Sequence, residues 1–335
     1  VLQLKSYYLS SSVHVDSIDY LIGYNYRLHS LDCMNLKSKS VTQIVLPGDG
    51  PDAIVRLSGI YAQSLDSVWI SDESERAFLI DSVGTIKRMI DLKKYLEDQE
   101  QLLINTNYAM FTSHLFYNAS RHSLMFLVKH TPSNTFIVKE AFIDEVGKMA
   151  TYQLSSSKVV PDMSKGYAYI NFPNVNFVGE NIVYNYPVES SIYMLDIRTN
   201  ERKYILADSH YTSNIIEKCT TSGDYATLEK HWLENSHFYD IMYLPKYKIY
   251  ARLHADKVDF DEKKGMEKLI NERDLYLMLF DANMEKIGET KLSNCRYSPF
   301  TSWNATYGGI ALFVDNVLDE KNNTDDLTID VISLK

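Results

Sequence analysis

Residues 68–86 read VWISDESERAFLIDSVGTI. Two runs that alternate apolar and polar residues flank the polar turn at Asp72, and the second run closes on Asp81, ahead of Gly84 and a third run. Period-two alternation punctuated by turn residues is the pattern of antiparallel strands. The closing aspartate has a local reason. At a strand end its carboxylate accepts hydrogen bonds from the amides of the following turn, while a glycine relaxes the bend.

The same ending recurs along the chain, at Ser30-Leu31-Asp32, Leu79-Ile80-Asp81, Phe142-Ile143-Asp144, Met194-Leu195-Asp196 and Leu279-Phe280-Asp281, with intervals of 49, 63, 52 and 85 residues. A sixth unit ends at Val331-Ile332-Ser333-Leu334, 53 residues beyond Asp281. Repeats of roughly fifty residues, each with room for four strands, define propeller blades. The expected fold is all-β, a six-bladed β-propeller forming one domain over residues 1–335. The recurring aspartates are expected to be structural, with Gly84 and Asn283 placed to relax their turns.

Ring closure follows from the same count. If the chain ends on the third strand of its last blade, the alternating segment Leu2 to Leu9 is free to supply the missing outer strand and bind the first and last blades together. Two stretches interrupt the strand pattern. Asp91 to Leu103 and Phe260 to Arg273 space their apolar residues as short helices, and the second, inserted between two strands of blade 5, explains the 85-residue interval.

The Val68–Ile86 unit resembles the blade consensus of six-bladed propellers of the NHL and TolB-like type. Gly48-Asp49-Gly50-Pro51-Asp52 is similar to the turn that leads into a blade in that group, with Asp52 where a second glycine is usual. The segments YDIMYLPKYKIYARLH (239–254) and LYLMLFDANMEKIGE (275–289) resemble exported six-bladed propellers of Bacteroidetes, many of them lipoproteins, with no assigned activity. The resemblance implies periplasmic or cell-surface residence, with tethering through a lipid anchor outside this sequence as a further expectation. It implies no reaction.

Composition narrows the partners. Forty-four acidic residues against 34 basic ones leave a net charge of −10, and no Lys/Arg run forms the positive stripe that a phosphate backbone requires, so nucleic acid is not an expected partner. Hydrophobic residues make up 45% of the chain, enough for a large core, and its 25 tyrosines suit half-buried pleated surfaces. Cys33, Cys219 and Cys295 lie too far apart for a CxxC pair, and no apolar run has the length to cross a bilayer. Glycosylation triplets at Asn118, Asn304 and Asn322 match a pattern common by chance.

No GxSxG elbow, HExxH pair or phosphate-binding glycine loop occurs, so no cofactor or metal is expected. The densest polar and aromatic cluster is EKHWLENSHFY, where His231 and His237 flank Trp232 ahead of Tyr239, with Arg252 and His254 on a following strand and Trp303 before the last blade. Trp232 and Tyr239 could stack on a ligand while Arg252 and the histidines bond to it, or all could pack between blades. The six-residue gap between His231 and His237 does not place them on adjacent turns of one helical face, as a metal pair requires. The expected function is a non-catalytic exported binding or scaffold protein that holds a peptide, glycan or protein partner on the face near blades 4 to 6. The alternative is a glycoside hydrolase or lyase with carboxylates around the central channel.

Overall fold

A computed structural model describes residues 4–104, 112–145, 147–158, 171–219, 224–321 and 326–334. Six antiparallel sheets follow one another in chain order, each with its main strands in sequence order and blade 3 with one extra short strand off that path. The innermost strands are Ser10–Val15, Leu57–Ser64, Phe116–Asn118, Asn174–Val178, His237–Leu244 and Trp303–Ala305, and each neighbours the next around the axis. The expected six-bladed propeller is thus the observed one. Asn322 lies outside the described residues, while Asn118 and Asn304 are buried.

The turn chemistry is present at three of the five aspartates. Asp81 accepts from the amides of Val83 and Thr85, Asp196 from Arg198 and Thr199, and Asp281 from Asn283 and Glu285. Gly84 has φ +86°, and a Cβ there would stand 2.4 Å from Val45 O, so glycine is required. In blade 5 the left-handed residue is Met284, φ +67°, instead of Asn283; the burial of its side chain offsets the backbone strain. In blade 1 the turn aspartate is replaced by Asn35, which accepts from Lys37 and Ser38, and Asp32 lies inside the third strand, fully buried. Asp144 is exposed and pairs with Arg88 of blade 2.

Of the two expected helices, one forms as read. Helix α1 (Tyr225–Leu233) was not anticipated; Asp224 caps its first turn, accepting from the Ala226 amide. Helix α2 (Met266–Asn271) lies between the second and third strands of blade 5, as expected. Asp91 to Leu103 does not form a helix. It makes a single 3₁₀ turn, Leu92–Tyr95, then a short strand, Glu100–Leu102, that pairs with Ser123–His130 of blade 3. Gln99, at φ +69°, breaks any helical path, and Leu102 enters the core around Trp69 and Val128.

Closure also differs from expectation. The last sheet has three strands among the described residues, Trp303–Ala305, Ile310–Phe313 and Ile329–Ile332, and residues 4–9 add no fourth. They form an irregular wedge between blades 1 and 6. Tyr7 is fully buried; its hydroxyl donates to Asp32 Oδ2 at 2.6 Å, its ring lies 5.6 Å from Phe313, and its carbonyl accepts from the Ser302 amide. The ring fills the space over Gly23, where a Cβ would stand 2.5 Å from it. A strand in the outer position would leave that space empty, and burying one aromatic ring between two sheets outweighs a marginal edge pairing. On the opposite side of the seam, Asp19 of blade 1 accepts from the amides of Tyr307 and Gly308.

Tyr7→Ala is expected to destabilise the domain by about 3–5 kcal/mol, and Tyr7→Phe by about 1.5 kcal/mol because Asp32 keeps its bonds from Asn25 and Gln43. Gly23→Ala should resemble Tyr7→Ala. Urea denaturation measures all three, and a midpoint unchanged in Tyr7→Ala would show that the wedge does not hold the ring shut.

Candidate functional site

The seven side chains singled out by the sequence fall in three places, and six are buried. Within and below α1, His231 Nε2 lies 2.6 Å from the Glu217 carbonyl, and Trp232 packs on Phe300 under a guanidinium 4.9 Å above its ring. That guanidinium belongs to Arg273, not to Arg252. His237 is fully buried with its ring 4.6 Å from that of Tyr239, whose hydroxyl donates to Pro299 O. Leu233 of α1, with Leu269 and Ile270 of α2, forms a small apolar core here, with Phe300 packed on it. The helices thus cap the blade 5–6 side of the face that carries the inter-blade connections.

Arg252 and His254 lie between blades 4 and 5. The Arg252 guanidinium donates to the carbonyls of Ser190 and Ala207 and stacks 4.8 Å from the Phe238 ring; burial pushes its pKa down to about 9, which leaves it charged at neutral pH. His254 is stacked between Phe238 and Tyr276, with Nε2 3.0 Å from Glu289. Burial alone would raise the Glu289 carboxyl, yet bonds from His254, Ser209, the His210 amide and Lys286 hold it well below the usual range. Buried in this way, Arg252 and His254 have no surface to present to a ligand. Arg252 binds blade 5 to blade 4, and His254 ties blade 5 to Thr212 of the connection between them.

The concave site is elsewhere, on the ring axis. A cavity of about 350 Å³ is lined by residues of all six innermost strands or their flanks, and it reaches the exposed turns at Gly179 and Pro245, on the face opposite the helices. Its volume falls in the range of small-molecule sites. The apolar part of the wall is aromatic: Phe116 stacks on Phe177 at 5.0 Å, Tyr61 meets Phe116 edge-on, and Tyr243 stands opposite. The polar part is neutral. Asn304 donates to Ser10 Oγ, Ser12 donates to Ala305 O, and Asn176 donates to Ile241 O while accepting from the Phe177 amide. These bonds run between blades or along the strands that line the axis, so the wall is held by the same contacts that hold the ring.

One feature breaks this neutrality just behind the wall. Strand His237–Leu244 carries a β-bulge: Phe238 pairs with His254 and Ile241 with Arg252, so Tyr239 and Asp240 together face Leu253. Asp240 is fully buried. One carboxylate oxygen lies 2.8 Å from His114 Nε2, across blade 4, and the other accepts from Trp303 Nε1 at 2.9 Å. Trp303 is therefore the sequence-selected residue that reaches Asp240, behind the axial wall. His114 lines the cavity, its side chain 22% exposed. His114 and Asp240 were missed in the sequence. The available signal was Asp240, a lone acid in the apolar run of FYDIMYL.

The profile of a family described as a domain of unknown function, DUF4221, matches residues 3–291. A crystal structure of a DUF4221 family member from Bacteroides vulgatus ATCC 8482 is similar throughout, with a TM-score of 0.78 at 14% identity, covering 98% of this chain and 95% of that one. Hydrazine synthase from Kuenenia stuttgartiensis follows at a TM-score of 0.46 and 12% identity over 93% and 74% of the two chains. A nidogen/laminin complex gives 0.42 and 11% over 84% and 78%. Neither bears on function. No curated protein matches the chain by sequence.

The buried histidines set an acid limit on the fold. Burial is the main cause that lowers the pKa of His237, far below its ordinary 6.5, and that of His254. Each stays neutral when folded and gains a proton on unfolding, so the unfolded state binds more protons below about pH 6.5 and stability falls as the pH drops through that value. His237→Leu is expected to remove about 1.4 kcal/mol per pH unit of this slope below pH 6.5. Melting curves from pH 7.5 to 5 check this; parallel curves for the two proteins would contradict it.

Proposed function

The chain belongs to the DUF4221 family, and on that footing we propose that it is a non-catalytic binding propeller that receives the end of a glycan, a peptide or a partner protein in its axial cavity. The observation that carries this reading is the chemistry of the cavity wall. It combines aromatic faces with amides and hydroxyls, and no carboxylate, lysine or arginine is among its described lining residues. Glycoside hydrolysis needs two carboxylates facing across the sugar, roughly 5–5.5 Å or 6.5–9.5 Å apart. Asp240, whose carboxylate meets the lining residue His114, is buried and committed to His114 and Trp303. A preformed wall of stacking surfaces and few polar groups suits recognition, where affinity comes from fit and desolvation.

This activity belongs in the periplasm or at the cell surface, a placement supported by the resemblance of segments 239–254 and 275–289 to exported propellers. The preferred binding surface moves from the helix-bearing face to the opposite one, where the cavity opens.

The test is a binding screen of glycans and peptides against the purified chain, repeated with Tyr243→Ala. Tyr243 is half-buried on the cavity wall. Its truncation is expected to weaken any specific ligand about tenfold, or 1.4 kcal/mol, and to lower the melting temperature through lost packing on Tyr250 while the chain stays folded. A ligand that binds the variant with unchanged affinity would place recognition off the axis.

A further inference from the structure

We infer that the axial cavity takes a neutral sugar ring and that His114, held by Asp240, is the acceptor that reads one of its hydroxyl groups. The inference rests on the cavity being the binding site, and it names the ligand class and the residue that selects it.

The protonation pattern follows from the partners. Trp303 Nε1 can only donate, and it occupies one oxygen of Asp240 at 2.9 Å. The other oxygen faces His114 Nε2 at 2.8 Å, a contact in which the ring nitrogen serves as the donor. In the tautomer with its hydrogen on Nε2 the other ring nitrogen, Nδ1, is the acceptor, and the ring lines the cavity. A ligand that meets this nitrogen must donate, which a sugar hydroxyl does.

Charge disfavours anionic ligands. With no lysine or arginine among the described lining residues, little offsets the desolvation of an anionic ligand. A uronic acid or the carboxyl terminus of a peptide is therefore disfavoured. A neutral sugar fits on both sides. Its C–H faces cover Tyr61, Phe116 and Tyr243, and its hydroxyls meet groups with unused capacity: Asn176 commits one N–H and one oxygen lone pair to the protein, of two each. The bulge at Tyr239 and Asp240 has a consequence consistent with this. It places a buried carboxylate beside the axis, although regular pairing would have buried the strand more easily.

Asp240→Asn is the informative variant. The amide oxygen can still accept from Trp303, but the amide nitrogen donates toward His114 Nε2, which moves the ring proton to Nδ1 and turns the acceptor into a donor. Calorimetric titrations of the whole chain use glucose, galactose, mannose, N-acetylglucosamine and their β-linked disaccharides, with galacturonic acid and neutral tripeptides as comparators. The expected result is a neutral sugar bound by the parent protein, about tenfold or more weakened in Asp240→Asn and in His114→Ala, with both variants folded. His114→Ala alters a partly exposed side chain and keeps the test decisive if Asp240→Asn misfolds. Unchanged sugar affinity in either folded variant overturns the inference. Galacturonic acid or a tripeptide bound in place of neutral sugars, and weakened by Tyr243→Ala, overturns the sugar class and leaves the cavity as the binding site. Binding of no probe overturns the sugar assignment and counts against the cavity reading as well.

Discussion

The seam between the first and last blades is the constraint on which everything else rests. Five blade interfaces join sheets adjacent in sequence, but the sixth must join residues near position 10 to residues near 300. Its contacts are correspondingly specific: Tyr7 on Asp32 and Phe313, Ser302 on the Tyr7 carbonyl, Asn304 on Ser10, and Asp19 on the amides of Tyr307 and Gly308. Each hydrogen bond contributes on the order of 1 kcal/mol, more where a carboxylate takes part, and the buried tyrosine ring adds the apolar share. Among the described residues the last sheet has three strands, and a side chain, Tyr7, fills the gap at the seam.

Closure in turn creates the axis. The innermost strands cannot meet at the centre, since each is flanked by its own sheet, and the space they leave is lined by whatever those strands and their flanks turn inward. Here they contribute serines, asparagines and aromatic rings, and the bonds that fix the polar groups also join neighbouring blades. Asn176 to Ile241 O and Asn304 to Ser10 are at once ring contacts and wall. The cavity is thereby rigid to the degree that the ring is closed.

Much of the architecture was legible because it depends on local chemistry that repeats. Alternation, Asx-turn aspartates and Gly84 located the blades, and the charge-interrupted apolar spacing of 260–273 located α2. Asp32 misled because it sits on a strand followed by a turn, as the true turn residues do; only its long-range bonds to Tyr7 and Gln43 distinguish it. The wedge at residues 4–9 was hidden for the same reason. Leu2 and Leu4, then Tyr7 and Leu9, stand two apart as in a strand, and nothing local reveals that Tyr7 has a space to fill above Gly23. The candidate site was the least legible. His237, Tyr239, Arg252 and His254 look like a ligand cluster in sequence because polar and aromatic residues crowd together, yet strand alternation sends them into blade interfaces. His114 and Asp240, 126 positions apart, meet only through the ring.

The bulge in the inner strand of blade 5 means that a single position separates two states of this fold. Deleting one residue between Phe238 and Ile241 would restore regular pairing with Ile249–Ala255 and keep the blade, while the carboxylate lost its aim toward the axis. Among relatives, then, the length of this strand, more than the identity of any one residue, would separate chains that share the shape from chains that also share the inner chemistry.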